Sequence, residues 1–299
     1  MSMKDVLNSG PAKVAKPKGE RFVGPLVKLL EKPQKKRRKA HQYHASGLHN
    51  LCPREAAITD RLLEVGVPSI EQIPISLRFT FDLGNAVHEW FQQEYFKLLG
   101  GVRGAWECVK CGNRELGVDM WETHCSCSKD PTPHKYAELT FRSDELRVVG
   151  SCDGVLVEDN VQGWPEMIFE LKTISIGQFD SLKKPKPEHY TQVQIYMWLS
   201  GIKHAIVVYA CKAFTRETPF KEFQVEYDPE HIQPILDDLQ DVKTAQEVKS
   251  VDIARKLCIG PGVPRAKQCP YSEVCFGGET VKNLVDAWEE GKADRAKAV

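Results

Sequence analysis

At 299 residues the chain is long enough for one sizeable core with an appendage, or for two small domains. No apolar run approaches the ~18–20 residues of a membrane-spanning helix. The basic N-terminus lacks the apolar stretch of a secretory signal, so neither membrane insertion nor export is expected. The formal net charge is zero but unevenly spread: residues 1–45 hold twelve Lys and Arg against three acidic residues, a net of +9.

That basic stretch sets apart an N-terminal arm, residues 1–43, dotted with Pro and Gly and densest at Lys35, Lys36, Arg37, Arg38 and Lys39. Such a run serves as a solvated arm or targeting tag, or as a phosphate-tracking arm whose binding is strongly salt-dependent. The globular part opens at Ser46–Arg54. Ser46 suits a helix N-cap, and Leu48, Leu51, Ile58, Leu62 and Leu63 give a helical stripe. Leu83 to Leu99 reads as an amphipathic helix on Leu83, Val87, Trp90, Phe91 and Leu98, with His88 at the edge of the stripe.

Ten cysteines without an export signal point to metal ligation rather than to disulfides. Cys152 and Cys211 sit in apolar runs and read as small buried hydrophobes. The other eight divide four and four. In the first set, Cys108-Val-Lys-Cys111-Gly is a knuckle; thirteen residues later comes Cys125-Ser-Cys127. Four thiolates suit a tetrahedral structural Zn²⁺, with His124 or His134 able to replace one ligand, in an inserted module at about residues 104–135. The second set is Cys52, Cys258, Cys269 and Cys275.

From Tyr136 the pattern turns to strands: AELTFRS, then LRVVGSCDGVLV, then MIFELKTIS. A helix at Tyr190–Ser200, a strand pair HAIVVYACKAF and KEFQVEY, and a long helix from Pro229 to about Leu257 follow. A sheet with helices before, within and after it defines an α/β layered domain. Val148 to Ser175 carries the chemistry. Asp153 lies across a reversal from Glu170, and Lys172, two residues on, shares the face of Glu170 while Leu171 points into the core. The acidic-x-Lys triplet alone means little, since Asp241–Lys243, Glu247–Lys249 and Glu290–Lys292 repeat it in polar stretches. Glu170-Leu-Lys172 differs because Met167, Ile168 and Phe169 run straight into it, and a charged pair on a buried strand requires a partner or a metal. Two carboxylates and an ammonium gathered in this way suit a metal-dependent nuclease.

Asp153, Glu170-x-Lys172 and Gln192-x-x-x-Tyr196 resemble the PD-(D/E)xK nuclease superfamily, specifically its RecB-like branch, with Cys152 standing where the eponymous Pro would be. The resemblance implies a restriction-endonuclease-like α/β/α core with a mixed sheet over residues 44–278, followed by a charged tail, 279–299. Gly84 to His88 looks like the Gly-x-x-x-His helix of that branch, which makes His88 a metal ligand with Asp153 and Glu170. It further implies Mg²⁺ or Mn²⁺, a water oriented or deprotonated by Lys172, and Gln192 and Tyr196 orienting Lys172 or the DNA backbone. Glu138 is a weaker candidate, and Arg54 a phosphate contact. The second cysteine set is similar to the iron–sulfur members, AddB-type and CRISPR-adaptation nucleases, and implies a [4Fe–4S] cluster, with Zn²⁺ as the alternative. Cys258 departs from the pattern, since ten residues separate it from Cys269. The expected partner is DNA, single-stranded or with a free end. A helicase or recombination protein would be a separate chain, and the setting the cytoplasm of a bacterium or phage host. The rival expectations are a catalytically silent DNA-binding or partner-recruiting module on the same fold, and a sequence-specific endonuclease.

Overall fold

The computed structural model describes residues 42–67, 75–159, 163–213, 218–278 and 280–297. The Lys35–Lys39 run and nearly all of the basic arm lie outside the described residues. Strands in chain order are β1 (Tyr43–His44), β2 (Val102–Cys108), β3 (Arg114–Val118), β4 (Glu122–Thr123), β5 (Thr132–Ala137), β6 (Leu139–Ser143), β7 (Val148–Cys152), β8 (Gly154–Leu156), β9 (Met167–Ile174), β10 (His204–Cys211) and β11 (Phe220–Glu226). The helices are α1 (Pro53–Glu64), α2 (Ile75–Trp90), α3 (Phe96–Leu99), α4 (Ile176–Ser181), α5 (Pro187–Ser200), α6 (Pro229–Glu247), α7 (Pro264–Gln268), α8 (Ser272–Phe276) and α9 (Val281–Lys297). The architecture is the mixed α/β one expected. β9 and β10 are parallel, joined through α4 and α5, whereas β8–β9 and β10–β11 are antiparallel. One core lies between the sheet and α1, α5 and α6, built on Ile168, Val193, Met197, Val207, Ile232 and Leu239. A second lies on the opposite face, where Val87, Phe91 and Phe96 meet Phe169, Leu171 and Val208. Among the described residues, no helix is long and apolar enough to cross a membrane.

The feature that positions the site is an excursion from one strand line. β3 holds one edge of β2. Along the other edge β5 and β8 follow each other end to end, Ala137 opposite Ala105 and Val155 opposite Arg103. Between them the β6–β7 hairpin leaves to form a small three-stranded sheet with β1. The two strands expected to run through Glu138 and Asp153 are therefore each broken at those residues. Leu139 pairs with Cys152, so Glu138 and Asp153 face each other across the neck of the hairpin. Gly150 on β7 admits α5, for a Cβ there would come within 2.4 Å of the Tyr196 ring.

Several expected boundaries shift for physical reasons. Ser46 caps no α-helix: Ala45–Asn50 is a 3-10 turn, and Pro53, which rejects helix at the residue before it, takes the first position of α1. The expected helix Leu83–Leu99 is α2, a π-helical turn over Phe91–Tyr95, and α3. Phe91 and Phe96, five apart, thereby both reach the Phe169 ring. Leu83, Trp90 and Leu98 from the expected stripe are exposed. The helix from Pro229 stops at Glu247, because Lys249 turns into the left-handed region at φ 55°. β2 and β5, which flank the cysteine knuckle, are full members of the large sheet and bury Trp106 and Tyr136. Residues 281–297 of the expected tail form α9.

α1, α6 and β1 are joined by a buried polar knot. The Tyr43 hydroxyl donates to Asp60, and Gln246 donates to Tyr43 Oη at 3.0 Å and to Asp60. Arg147 closes the knot on Gln246. Tyr43→Phe leaves Asp60 short of a donor inside the fold and should lower stability by about 1–3 kcal/mol, read as a shift in the urea midpoint with an unchanged m-value.

Candidate metal centre

β9 alternates across the two cores, so Phe169 and Leu171 enter one while Glu170 and Lys172 face α5 in the other. Asp153 and Glu170 are only 4% and 3% exposed. The Asp153 carboxylate is fixed on both oxygens. Leu171 N–H donates to Oδ2 at 2.7 Å, while His88 Nδ1 lies 2.8 Å and Gln92 Nε2 3.0 Å from Oδ1. Its backbone carbonyl accepts from the buried Tyr136 hydroxyl at 2.7 Å. Glu170 Oε1 accepts from Lys172 Nζ at 2.7 Å and from Gln192 Nε2 at 3.0 Å. Gln192 donates in turn to Tyr196 Oη at 2.5 Å.

Burial dominates the electrostatics. It raises the Glu170 pKa to about 7, against the opposing pull of Lys172 and with further help from Asp153. Burial works against the Lys172 ammonium, yet Glu170 outweighs it and the pKa rises. His88 is likewise raised, its desolvation overcome by the bond to Asp153. A cation suits this site. Glu170 Oε2 is buried with no hydrogen-bond partner, and an unpaired buried carboxylate oxygen is costly unless something positive reaches it. His88, Glu138 and Asp153 each offer a ligand atom within 4.8 Å of the others. Glu170 stands outside that trio and Glu138 stands within it, the reverse of the order read from the sequence.

The four cysteines of the first set converge within the same limit. Cys108 and Cys127 sulfurs lie 3.7 Å apart, and those of Cys111 and Cys125 3.5 Å. Zn–S bonds of ~2.3 Å in a tetrahedron give edges of ~3.8 Å, so the donor set fits one ion. The Thr132 hydroxyl lowers the Cys108 thiol to about 6, which readies it for a metal. His134 turns Nδ1 to the Thr132 carbonyl, and neither it nor His124 joins the four thiols. Cys52, Cys258, Cys269 and Cys275 line one small cavity between α1, α7 and α8. Unlike the first set, they do not converge within 4.8 Å.

Two expected roles are corrected. Arg54 is 5% exposed and commits its guanidinium to the C-terminal segment. Nε donates to the Ala254 carbonyl at 2.8 Å, and the terminal nitrogens donate to the Asp252 carboxylate at 2.6 Å and to its carbonyl at 2.7 Å. It is a clamp between distant parts of the chain, with three of its five N–H donors committed to residues 252 and 254. Tyr196 is 2% exposed, so it cannot touch a DNA backbone; Gln192 orients Glu170 rather than Lys172. Gln92 went unnoticed in the sequence, although it sits four residues after His88 and so shares its face.

No family model matches this sequence, and no curated protein matches it. Solved structures that the chain is similar to include three. One is the crystal structure of SSO0001, at 16% identity over 81% of this chain and 89% of that one, TM-score 0.39. Another is an alkaline exonuclease from Laribacter hongkongensis, at 15% identity over 71% and 91%, TM-score 0.42. The third is a phage-related exonuclease from Haemophilus somnus 129PT, at 12% identity over 70% and 95%, TM-score 0.38. Similarity this remote does not speak to activity.

His189, on the first turn of α5, hydrogen-bonds Tyr209 Oη at 2.8 Å. Burial, then Lys172, Lys186 and His49, lower its pKa from 6.5 to about 3. The unfolded chain therefore takes up this proton first as pH falls. Its contribution to stability is complete above pH 6.5 and is lost progressively below it. In His189→Gln, the decline in urea midpoint between neutral pH and pH 5 should be shallower than in the parent; parallel curves would contradict this origin.

Proposed function

We propose that this chain is a metal-dependent nuclease of the PD-(D/E)xK type, an end-processing exonuclease acting on DNA. One observation carries the reading: a buried carboxylate pair, Asp153 and Glu170, one of whose oxygens has no partner, lies directly beside an ammonium on the same strand. An ion pair that served stability alone would satisfy every oxygen. His88, Asp153 and Glu170 would hold Mg²⁺ or Mn²⁺, with the imidazole favouring Mn²⁺. When bound, the metal supplies Lewis acidity and a water of lowered pKa. Lys172, held as an ammonium by Glu170, orients that water and offsets charge developing on the phosphate. Gln192, braced by Tyr196, keeps Glu170 turned toward Lys172. Residues 44–278 form the catalytic domain, and the basic arm tracks the phosphate backbone. The substrate is DNA with a free end, and any motor is a separate chain.

The Cys108, Cys111, Cys125 and Cys127 set would hold a structural Zn²⁺ that fixes the far ends of β2 and β5. The Cys52, Cys258, Cys269 and Cys275 set would hold a [4Fe–4S] cluster that fastens α1 to the C-terminal segment and does no redox work.

Lys172→Ala should reduce Mn²⁺-dependent cleavage of an end-labelled strand by about 100-fold or more while leaving its affinity for that strand nearly unchanged. Undiminished cleavage would sink the assignment. Protein purified without oxygen should be brown and bleach with dithionite, and Cys52→Ala should be colourless. A colourless parent with zinc in both cysteine sets would move the second set to Zn²⁺.

A further inference from the structure

Two side chains at the neck of the hairpin, Glu138 and Gln92, have no part in the chemistry above. Glu138 is exposed at the mouth of the site. Its carboxylate nevertheless lies close enough to His88 and Asp153 for all three to share an ion. Two carboxylates brought together repel one another, and partial desolvation followed by the Asp153 charge raises the Glu138 pKa. Something must hold them in place. Gln92 supplies it: its amide nitrogen donates to Asp153 Oδ1 at 3.0 Å and to Glu138 Oε1 at 3.3 Å.

The backbone explains why the amide is available there. Gln92 lies in the π-helical turn, closed by Phe96 N–H donating to the Phe91 carbonyl. Phe91 and Phe96 seat that turn on Phe169, and Gln92, one residue on, is 9% exposed. Gln93, the next residue, ties the same turn to β5, with Nε2 donating to the Tyr136 carbonyl at 3.0 Å and Oε1 accepting from Tyr136 N–H at 3.3 Å. The turn is thus anchored to the strand that ends at Glu138, and its position relative to the neck is set by contacts outside the site.

We propose that Gln92 is a positioning residue that bridges Asp153 and Glu138, making Glu138 a divalent-cation ligand beside His88 and Asp153. This rests on the divalent-metal part of the function proposed above. Gln92 does not touch the ion; it acts through Glu138 by fixing where that carboxylate stands.

The test is Mn²⁺ affinity, measured by titration calorimetry on the full chain without DNA, at matched zinc and iron content. Glu138→Gln and Gln92→Met should each weaken Mn²⁺ binding by about 10–100-fold, the usual range for residues supporting a metal site. The double variant should bind no more weakly than Glu138→Gln alone, since the two act as one unit. A Gln92 that merely stabilised the helix would give additive losses, and additivity overturns the proposal. Unchanged Mn²⁺ affinity in Glu138→Gln overturns it as well, and that variant, at an exposed position, keeps the test open if Gln92→Met fails to fold. If Mn²⁺ binding follows the expected pattern in a chain that cuts no DNA, the inference stands and only the nuclease reading falls. A parent chain that binds no Mn²⁺ overturns both.

Discussion

The site depends on how Asp153 is held. Its carboxylate takes the Leu171 N–H, and its carbonyl takes the Tyr136 hydroxyl. It is thus tied at once to the strand bearing Glu170 and Lys172 and to the strand leading into the excursion. Those two bonds join β5, β8 and β9 at one residue. An Asp at a strand interruption has its backbone free of ladder pairing, so both its peptide and its side chain can be used this way. The register does the rest: with Leu171 N–H fixed on Asp153, Glu170 and Lys172 turn to α5 and nowhere else.

The arrangement runs against what a stable core prefers. Asp153 and Glu170 are both nearly inaccessible, and the groups that face them, the Lys172 ammonium and the His88 imidazole, are set off to one side. Burial raises the Glu170 pKa to about 7, against the pull of Lys172. The α5 side supplies order rather than charge: Gln192 and Tyr196 form a neutral chain of donors behind Glu170. Under the function proposed above, most of the groups that would hold an ion are already in place, so little reorganisation would accompany its entry.

Much of this was legible because strand and helix periods leave regular marks. Glu170 and Lys172 two apart, Gln192 and Tyr196 four apart, and the apolar run into Glu170 gave the site and the α/β core. What was missed lies where the chain departs from those periods. The break at Glu138 falls inside β-prone sequence with no Gly or Pro beside it, and the one at Asp153 is marked only by Gly154. Glu138, a single acidic residue between Ala137 and Leu139, has the pattern of any solvent-facing strand position. Gln92 was hidden by the π-helical turn, which no residue type announces. Arg54 reads from the sequence as a phosphate contact; only the position of Asp252 and Ala254, far along the chain, gives it other partners. The α2 stripe misled because Leu83 and Trp90 are apolar, yet that helix approaches the sheet beyond its midpoint, through Gly84 and Val87.

The clamp of Arg54 on Asp252 and Ala254 spans about 200 residues, and Cys52 shares a cavity with cysteines that lie farther on still. This has a consequence for the order of assembly. α1 precedes the large sheet in the chain, but its guanidinium meets Asp252 and Ala254, its neighbouring thiol shares a cavity with Cys258, Cys269 and Cys275, and Asp60 accepts from Gln246, all of them beyond the sheet in sequence. The sheet with α5 joins contacts closer in sequence and is complete by Glu226, so it carries the smaller loop-closure penalty. The α1 layer therefore closes over a sheet that is already formed.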